Sequence, residues 1–205
     1  MLTKNINFKN FKIKNFNKKI KKDFDNMLNE DNEVLKSLSL SYKNSYTKKT
    51  ISKFNRYSHL RIIGMGGSIL GTESIYSFLK HKIKKNFLFN DNLRSKVSHP
   101  NKKKYLNLIV SKSGNTLETI SNANIIIKNK DKNIFITQNT QSYLQSLAKK
   151  LKAEIVHHNN FIGGRYSVLS EVGMLPAELM GLKISKFKQL NNLIKNKNFI
   201  NSLVI

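Results

Sequence analysis

The stretch "LRIIGMGGSILG", residues 60–71, sets an apolar run directly before closely spaced glycines and then resumes with apolar residues. It reads as a strand that breaks into a glycine turn and opens a helix. Such a turn lets the backbone approach a ligand, and the first helical amides point at whatever lies there, so an anion is the natural guest. The dinucleotide pattern G-x-G-x-x-G, counted from Gly64 and Gly66, needs a third glycine at position 69, where Ile69 stands. A phosphate loop of the Walker type would end in Gly-Lys-Ser/Thr, and the chain contains no such ending. The turn therefore needs other parts of the sequence to identify it.

Outward from this turn, short apolar runs alternate with helical stretches. Strands are predicted near 60–64, 86–90, 105–111, 133–138 and 153–157, with helical sequence between them. Strand and helix in alternation predict an α/β fold: a five-stranded parallel sheet between helical layers, with ligands beside the loops at the strands' carboxyl ends. Before the sheet, "FDNMLNEDNEVLKSLSLSY" (24–42) carries three- and four-residue apolar spacing and reads as one leading helix. After it, "VLSEVGMLPAELMGL" and "ISKFKQLNNLI" read as helical, with Pro176 expected at a break or in a first turn.

Two further loops carry chemistry. "SKSGNTLET" (111–119) presents Ser111, Ser113 and Thr116 around Gly114 where a helix begins. Clustered hydroxyls with helix amino-terminal amides suit a phosphate, whose oxygens accept several hydrogen bonds. The same residues also read as a helix cap, through Thr116 with Thr119 or Asn115 with Glu118. "FIGGRYSVLSEVG" (161–173) sets two glycines beside Arg165, which suits a guanidinium reaching an anion close to the backbone, or one bonding a carbonyl across a turn.

Composition narrows the classes. With 205 residues, one good-sized domain is expected. The absence of cysteine excludes disulfides and thiolate metal sites. Residues 1–19 are basic without a continuous apolar stretch, unlike a secretory signal, and no segment approaches the roughly 18 apolar residues of a membrane span. A soluble, cytoplasmic protein without a membrane partner is expected. The net charge of +25 raises nucleic acid as a partner, but Lys and Arg are scattered among Asn and Ile, as in "KHKIKKNF" and "NLIKNKNF". No helix-turn-helix signal accompanies them, so specific nucleic-acid binding is not expected. His157 and His158 would face opposite sides of a strand, which argues against a shared metal ion. Asp91 stands where a dinucleotide fold would place its ribose acid, but the broken glycine pattern weakens that reading.

Taken together, "IIGMGGSILG", "SKSGNTLET" and "GGRYSVLSEVGMLP" resemble the glucose-6-phosphate isomerase family, in its amino-terminal half, which contains a sugar isomerase (SIS) domain. The resemblance runs from about Leu60 to the helix around Leu190. It implies an SIS-type three-layer sandwich over residues 51–185, preceded by a basic helical segment (1–50) and followed by a helix (186–205) leading towards a second lobe. It also implies that Ser111, Ser113, Thr116 and the Lys112 amide grip a sugar phosphate, that Gly67 and Ser68 line the sugar hydroxyls, and that Arg165 lies near the reacting carbons. Glu118 matches the family's glutamate after the phosphate loop, which is linked there to a ring-opening histidine.

The implied reaction interconverts glucose 6-phosphate and fructose 6-phosphate by proton transfer through a cis-enediol(ate), with no metal or organic cofactor. The family's proton-transferring glutamate, ring-opening histidine and lysine lie in the second lobe and have no counterpart in these 205 residues. The expectation is a first lobe that binds substrate but lacks the base, completed by a second lobe or a homodimer. A stand-alone phosphosugar-binding module is the alternative.

Overall fold

The computed structural model describes residues 17–93, 104–128, 130–188, 196 and 199–200. They divide into two compact units, residues 44–183 and the described residues among 1–43 and 184–205.

In the smaller unit, helix α1 (Lys18–Leu28) is capped by Asn17, whose side chain accepts from the Lys19 and Ile20 amides. A short helix α2 (Glu33–Ser37) follows, capped by Asn32. The single leading helix expected over 24–42 is thus two. Asn29 closes α1 and the Asn32 side chain accepts from the Val34 amide at 2.8 Å, so local side-chain bonds compete with a continuous helical ladder. A 3-10 turn spans Ile184–Lys186. Most of the helix expected over 184–194 lies outside the described residues.

The larger unit begins with α3 (Lys48–Phe54) and builds one parallel sheet: β1 (His59–Gly64), β2 (Asn86–Asn90), β3 (Leu106–Val110), β4 (Lys132–Thr137) and β5 (Glu154–His157). The strand order is β2-β1-β3-β4-β5, all pairs parallel. The five strands stand where the apolar runs predicted them. Between and after them lie α4 (Leu70–Leu79), α5 (Leu117–Ile126), α6 (Tyr143–Lys150) and α7 (Glu171–Leu179). Every residue of β3 is buried, as a parallel strand covered on both faces must be.

Side-chain alternation divides the sheet between its two helical layers. Ile63, Ile109 and Phe135 cluster with Ala123 and Ile126 of α5 and Leu144 and Ala148 of α6. Burial of each large apolar side chain is worth about 1.5–3 kcal/mol, and this cluster holds the α5 and α6 layer in place. Two residues earlier on each strand the same face is polar. Arg61, Asn107 and Asn133 stand in register across β1, β3 and β4. Arg61 Nη1 donates to Asn107 Oδ1 at 3.3 Å, Asn107 Nδ2 donates to Asn133 Oδ1 at 2.8 Å, and the guanidinium lies 3.9 Å from Asp131 and over the Tyr105 ring. These polar partners let the sheet hold a buried cation that a bare apolar sheet would not, although the Arg61 Nε itself has no hydrogen-bond partner among the described residues.

Pro176 does not mark a break: it lies inside α7. Proline cannot donate to the carbonyl four residues back, which leaves the Val172 oxygen without its helical partner. The Thr72 hydroxyl on α4 donates to that oxygen at 3.3 Å. A neighbouring helix thus supplies the bond the proline removes.

Candidate functional site

Three loops leave the carboxyl end of the sheet. The first turns through Gly66–Ser68 after β1, and Gly66 takes a left-handed φ of +54° that favours glycine. The second follows β3, adjacent to β1, with Gly64 registered against Val110. The third leaves the edge strand β5 and crosses back to the first. Its 3-10 turn, Gly164–Leu169, packs on the Gly66–Ser68 turn, and a Cβ on Gly67 would run into the Gly164 carbonyl and stand 2.8 Å from the Arg165 nitrogen. Ser167 ties the contact further: its hydroxyl donates to the Gly164 oxygen at 2.7 Å, with the Gly67 oxygen at 3.4 Å. The missing side chain at Gly67 therefore lets Arg165 lie beside the first loop.

The second loop is held from below and from the side. Gly114 has φ +67°, and a Cβ there would overlap the Ser142 hydroxyl. The Gly114 carbonyl accepts from the Leu144 amide at 3.0 Å, Asn115 Oδ1 accepts from the Tyr143 amide at 2.9 Å, and the Lys112 carbonyl accepts from the Gln138 amide at 3.0 Å and the Thr137 hydroxyl at 3.2 Å. The segment after β4 thus positions the hydroxyl loop. Sequence reasoning missed it, because "TQNTQS" lacks glycine and carries no charge to single it out.

Thr116 is the N-cap residue of α5, but its side chain makes no capping bond. It turns instead to Ser111, with 2.9 Å between the two hydroxyl oxygens. Neither of the two capping pairs offered by the sequence forms. The Ser113 hydroxyl accepts from the Asn115 amide at 3.2 Å and is exposed. Glu118, in the first turn of α5, is half-buried.

A wider pattern emerges from the helix ends. The α-helices capped by a side chain are α1, α2, α3 and α6, through Asn17, Asn32, Thr47 and Ser142. The three that open from the three loops, α4, α5 and α7, have no side-chain cap. At α4 and α5 the first-turn amides are the donors a helix end leaves over, whereas at α7 the Glu171 amide bonds its own carboxylate; each end carries partial positive charge.

Arg165 is exposed, and its guanidinium makes no hydrogen bond or ion pair among the described residues. The alternative of an arginine bonding a carbonyl across the turn is not what forms. Behind it the loop is braced by a buried pair absent from the sequence reading: His158 Nδ1 lies 2.8 Å from Glu171 Oε1, which also accepts from the Asn159 amide at 2.7 Å. Burial works to raise the Glu171 pKa, but the bonds from His158 and Asn159 outweigh it and hold the carboxyl below its ordinary value. The 13-residue separation of the two partners, with glycines between, gave no local signal. Among the described residues, no three His, Asp or Glu side chains stand together as metal ligands, and no helix is long and apolar enough to cross a membrane.

The family model for phosphoglucose isomerase matches residues 7–202. The chain is 30% identical over 198 residues to glucose-6-phosphate isomerase of Methanocaldococcus jannaschii, a match covering 88% of this chain and 49% of that protein. It is 33% identical over 144 residues to the Acholeplasma laidlawii enzyme of the same name, covering 61% of this chain and 34% of that one. The chain thus spans half or less of the curated relatives it matches here. Among solved structures, a hypothetical protein from Thermus thermophilus superposes with a TM-score of 0.64 at 19% identity, covering 89% of this chain and 49% of that one. Tagatose-6-phosphate ketose/aldose isomerase from Escherichia coli gives 0.52 at 17% identity, covering 70% and 43%. These structural likenesses concern the fold, an α/β sheet of the sugar isomerase type. The family match spans nearly the whole sequence, including all three loops, and on that ground the chain belongs to the phosphoglucose isomerase family.

Proposed function

We propose that this chain is the substrate-phosphate-binding lobe of an aldose–ketose isomerase acting on glucose 6-phosphate and fructose 6-phosphate. The observation that carries the reading is the uncapped start of α5, where Thr116 turns its hydroxyl to Ser111 and leaves the first-turn amides without a side-chain acceptor. A phosphate there accepts from those amides and from the Ser113 and Thr116 hydroxyls, with the buried Ser111 hydroxyl donating to Thr116 and the Lys112 amide assisting. Gly67 and Ser68 border the sugar hydroxyls. Arg165, fixed charge on a braced loop, stabilises the enediolate oxygens, where preorganised positive charge lowers a barrier. Glu118 orients the ring-opening histidine of a second lobe.

Arg165 remains protonated and cannot accept the carbon-bound proton. The Glu171 carboxylate is already engaged by His158 and the Asn159 amide. The base therefore comes from a second lobe. The working compartment is the cytoplasm, and neither nucleic acid nor a membrane is a specific partner. Ser113→Ala and Thr116→Ala are each expected to weaken binding of fructose 6-phosphate by about 1.5–3 kcal/mol, the range for hydrogen bonds to a charged group. Calorimetric titration of the three chains measures this. Unchanged affinity in both variants would remove the loop from the site.

A further inference from the structure

The opposite end of the sheet holds a cleft of about 390 Å³ at the amino ends of β4 and β5. Its lining includes Lys53, Lys128, Lys132, Lys150 and Lys152, with Asp131 and Glu154. Both carboxylates are matched: Lys53 Nζ lies 2.7 Å from Glu154, and Arg61 lies 3.9 Å from Asp131. Lys132, Lys150 and Lys152 are exposed and make no ion pair among the described residues. The carboxyl ends of α3, α5 and α6 border the cleft, and each contributes roughly −0.5 charge. Those helix ends offset about half of the three unmatched lysines, so the cleft remains positive.

Lys152 adds an independent observation. Its φ of +48° is the one left-handed value at a non-glycine among the described residues. It stands just past α6, where the Ala153 amide donates to the Ala148 oxygen at 2.9 Å and the Lys152 amide to the Lys149 oxygen at 3.1 Å. This is the helix ending that normally takes glycine, and a side chain there is strained. A lysine held at a position that disfavours any side chain, on the wall of a positive cleft, points to use of its ammonium group.

We propose that this cleft is a second anion site, taking a small polyanion with several phosphate groups. It lies at the opposite end of the sheet from the sugar-phosphate loops and does not depend on how they are read. The test is calorimetric titration of the full 205-residue chain with inorganic tripolyphosphate. Lys152→Gly is expected to raise the melting temperature by about 2–4 °C, through relief of strain, while weakening binding about fivefold or more. The double change Lys132→Gln with Lys150→Gln is expected to weaken it about tenfold or more. Removing the same charge elsewhere, with Lys80→Gln and Lys82→Gln, is expected to change affinity less than about threefold, and Ser113→Ala with Thr116→Ala is expected to leave a tripolyphosphate site intact. Equal losses in the two double lysine variants would show a general charge effect and overturn the site. So would binding abolished by the Ser113 and Thr116 changes, binding unaffected by Lys152→Gly, or no binding at all.

Discussion

Gly67→Ala is expected to cost about 3 kcal/mol of stability and to abolish measurable sugar-phosphate binding, because a methyl group there displaces backbone on a second loop. The added Cβ meets the Gly164 carbonyl and stands 2.8 Å from the Arg165 nitrogen, and neither can swing aside as the tip of a side chain could. The loops must separate, carrying Arg165 away from the first turn and breaking the approach of the Ser167 hydroxyl to the Gly67 oxygen. Gly66→Ala is the control. That residue has φ +54° with open space around its Cβ position, so the change adds conformational strain of about 1 kcal/mol without driving the loops apart. Urea unfolding of both variants, with fructose 6-phosphate titration, separates the effects. Equal losses at the two positions would show that the contact between the loops is unimportant.

The purified 205-residue chain is expected to show no appreciable glucose 6-phosphate isomerase turnover. Moving a proton between adjacent carbons needs a base within hydrogen-bond reach of both, and such catalysis supplies about 10² to 10⁴ in rate. Phosphate binding does not replace it, and the three loops offer a fixed cation, a Glu171 carboxylate already bonded to His158 and Asn159, and Glu118, which the same reading gives to the ring-opening histidine. Mixing with a separately expressed second lobe from a relative is expected to restore part of the rate. A coupled assay, with the chain produced in a strain whose own isomerase is deleted, reads both outcomes. Robust turnover by the chain without a partner lobe would place a base within these residues.

The strands and the loops were legible for physical reasons. Runs such as "YLNLIVS" and "NIFITQ" are apolar enough to be buried on both faces, and glycine beside hydroxyls or arginine marks where backbone must bend or approach closely. What escaped depends on partners distant in sequence. Arg61 lies in the middle of the strand read as apolar, and it is tolerated because Asn107 and Asp131 meet it across the sheet, Asn107 held in turn by Asn133. Pro176 reads locally as a helix break, and Thr72, far earlier in the chain on α4, supplies the missing bond. The turned Thr116 hydroxyl belongs to the same class. Its sequence fits a cap, and only the nearby Ser111 oxygen reveals that the helix end is left open.

Crystals of the chain soaked with fructose 6-phosphate give the most direct measurement, since the phosphate is a dense and recognisable group. It is expected within hydrogen-bond reach of the first-turn amides of α5 and the hydroxyls of Ser113 and Thr116, with the sugar lying towards Gly67 and Arg165. Phosphate density confined to the lysine-lined cleft at the other end of the sheet, with the three loops empty at saturating ligand, would contradict the assignment of the sugar-phosphate site.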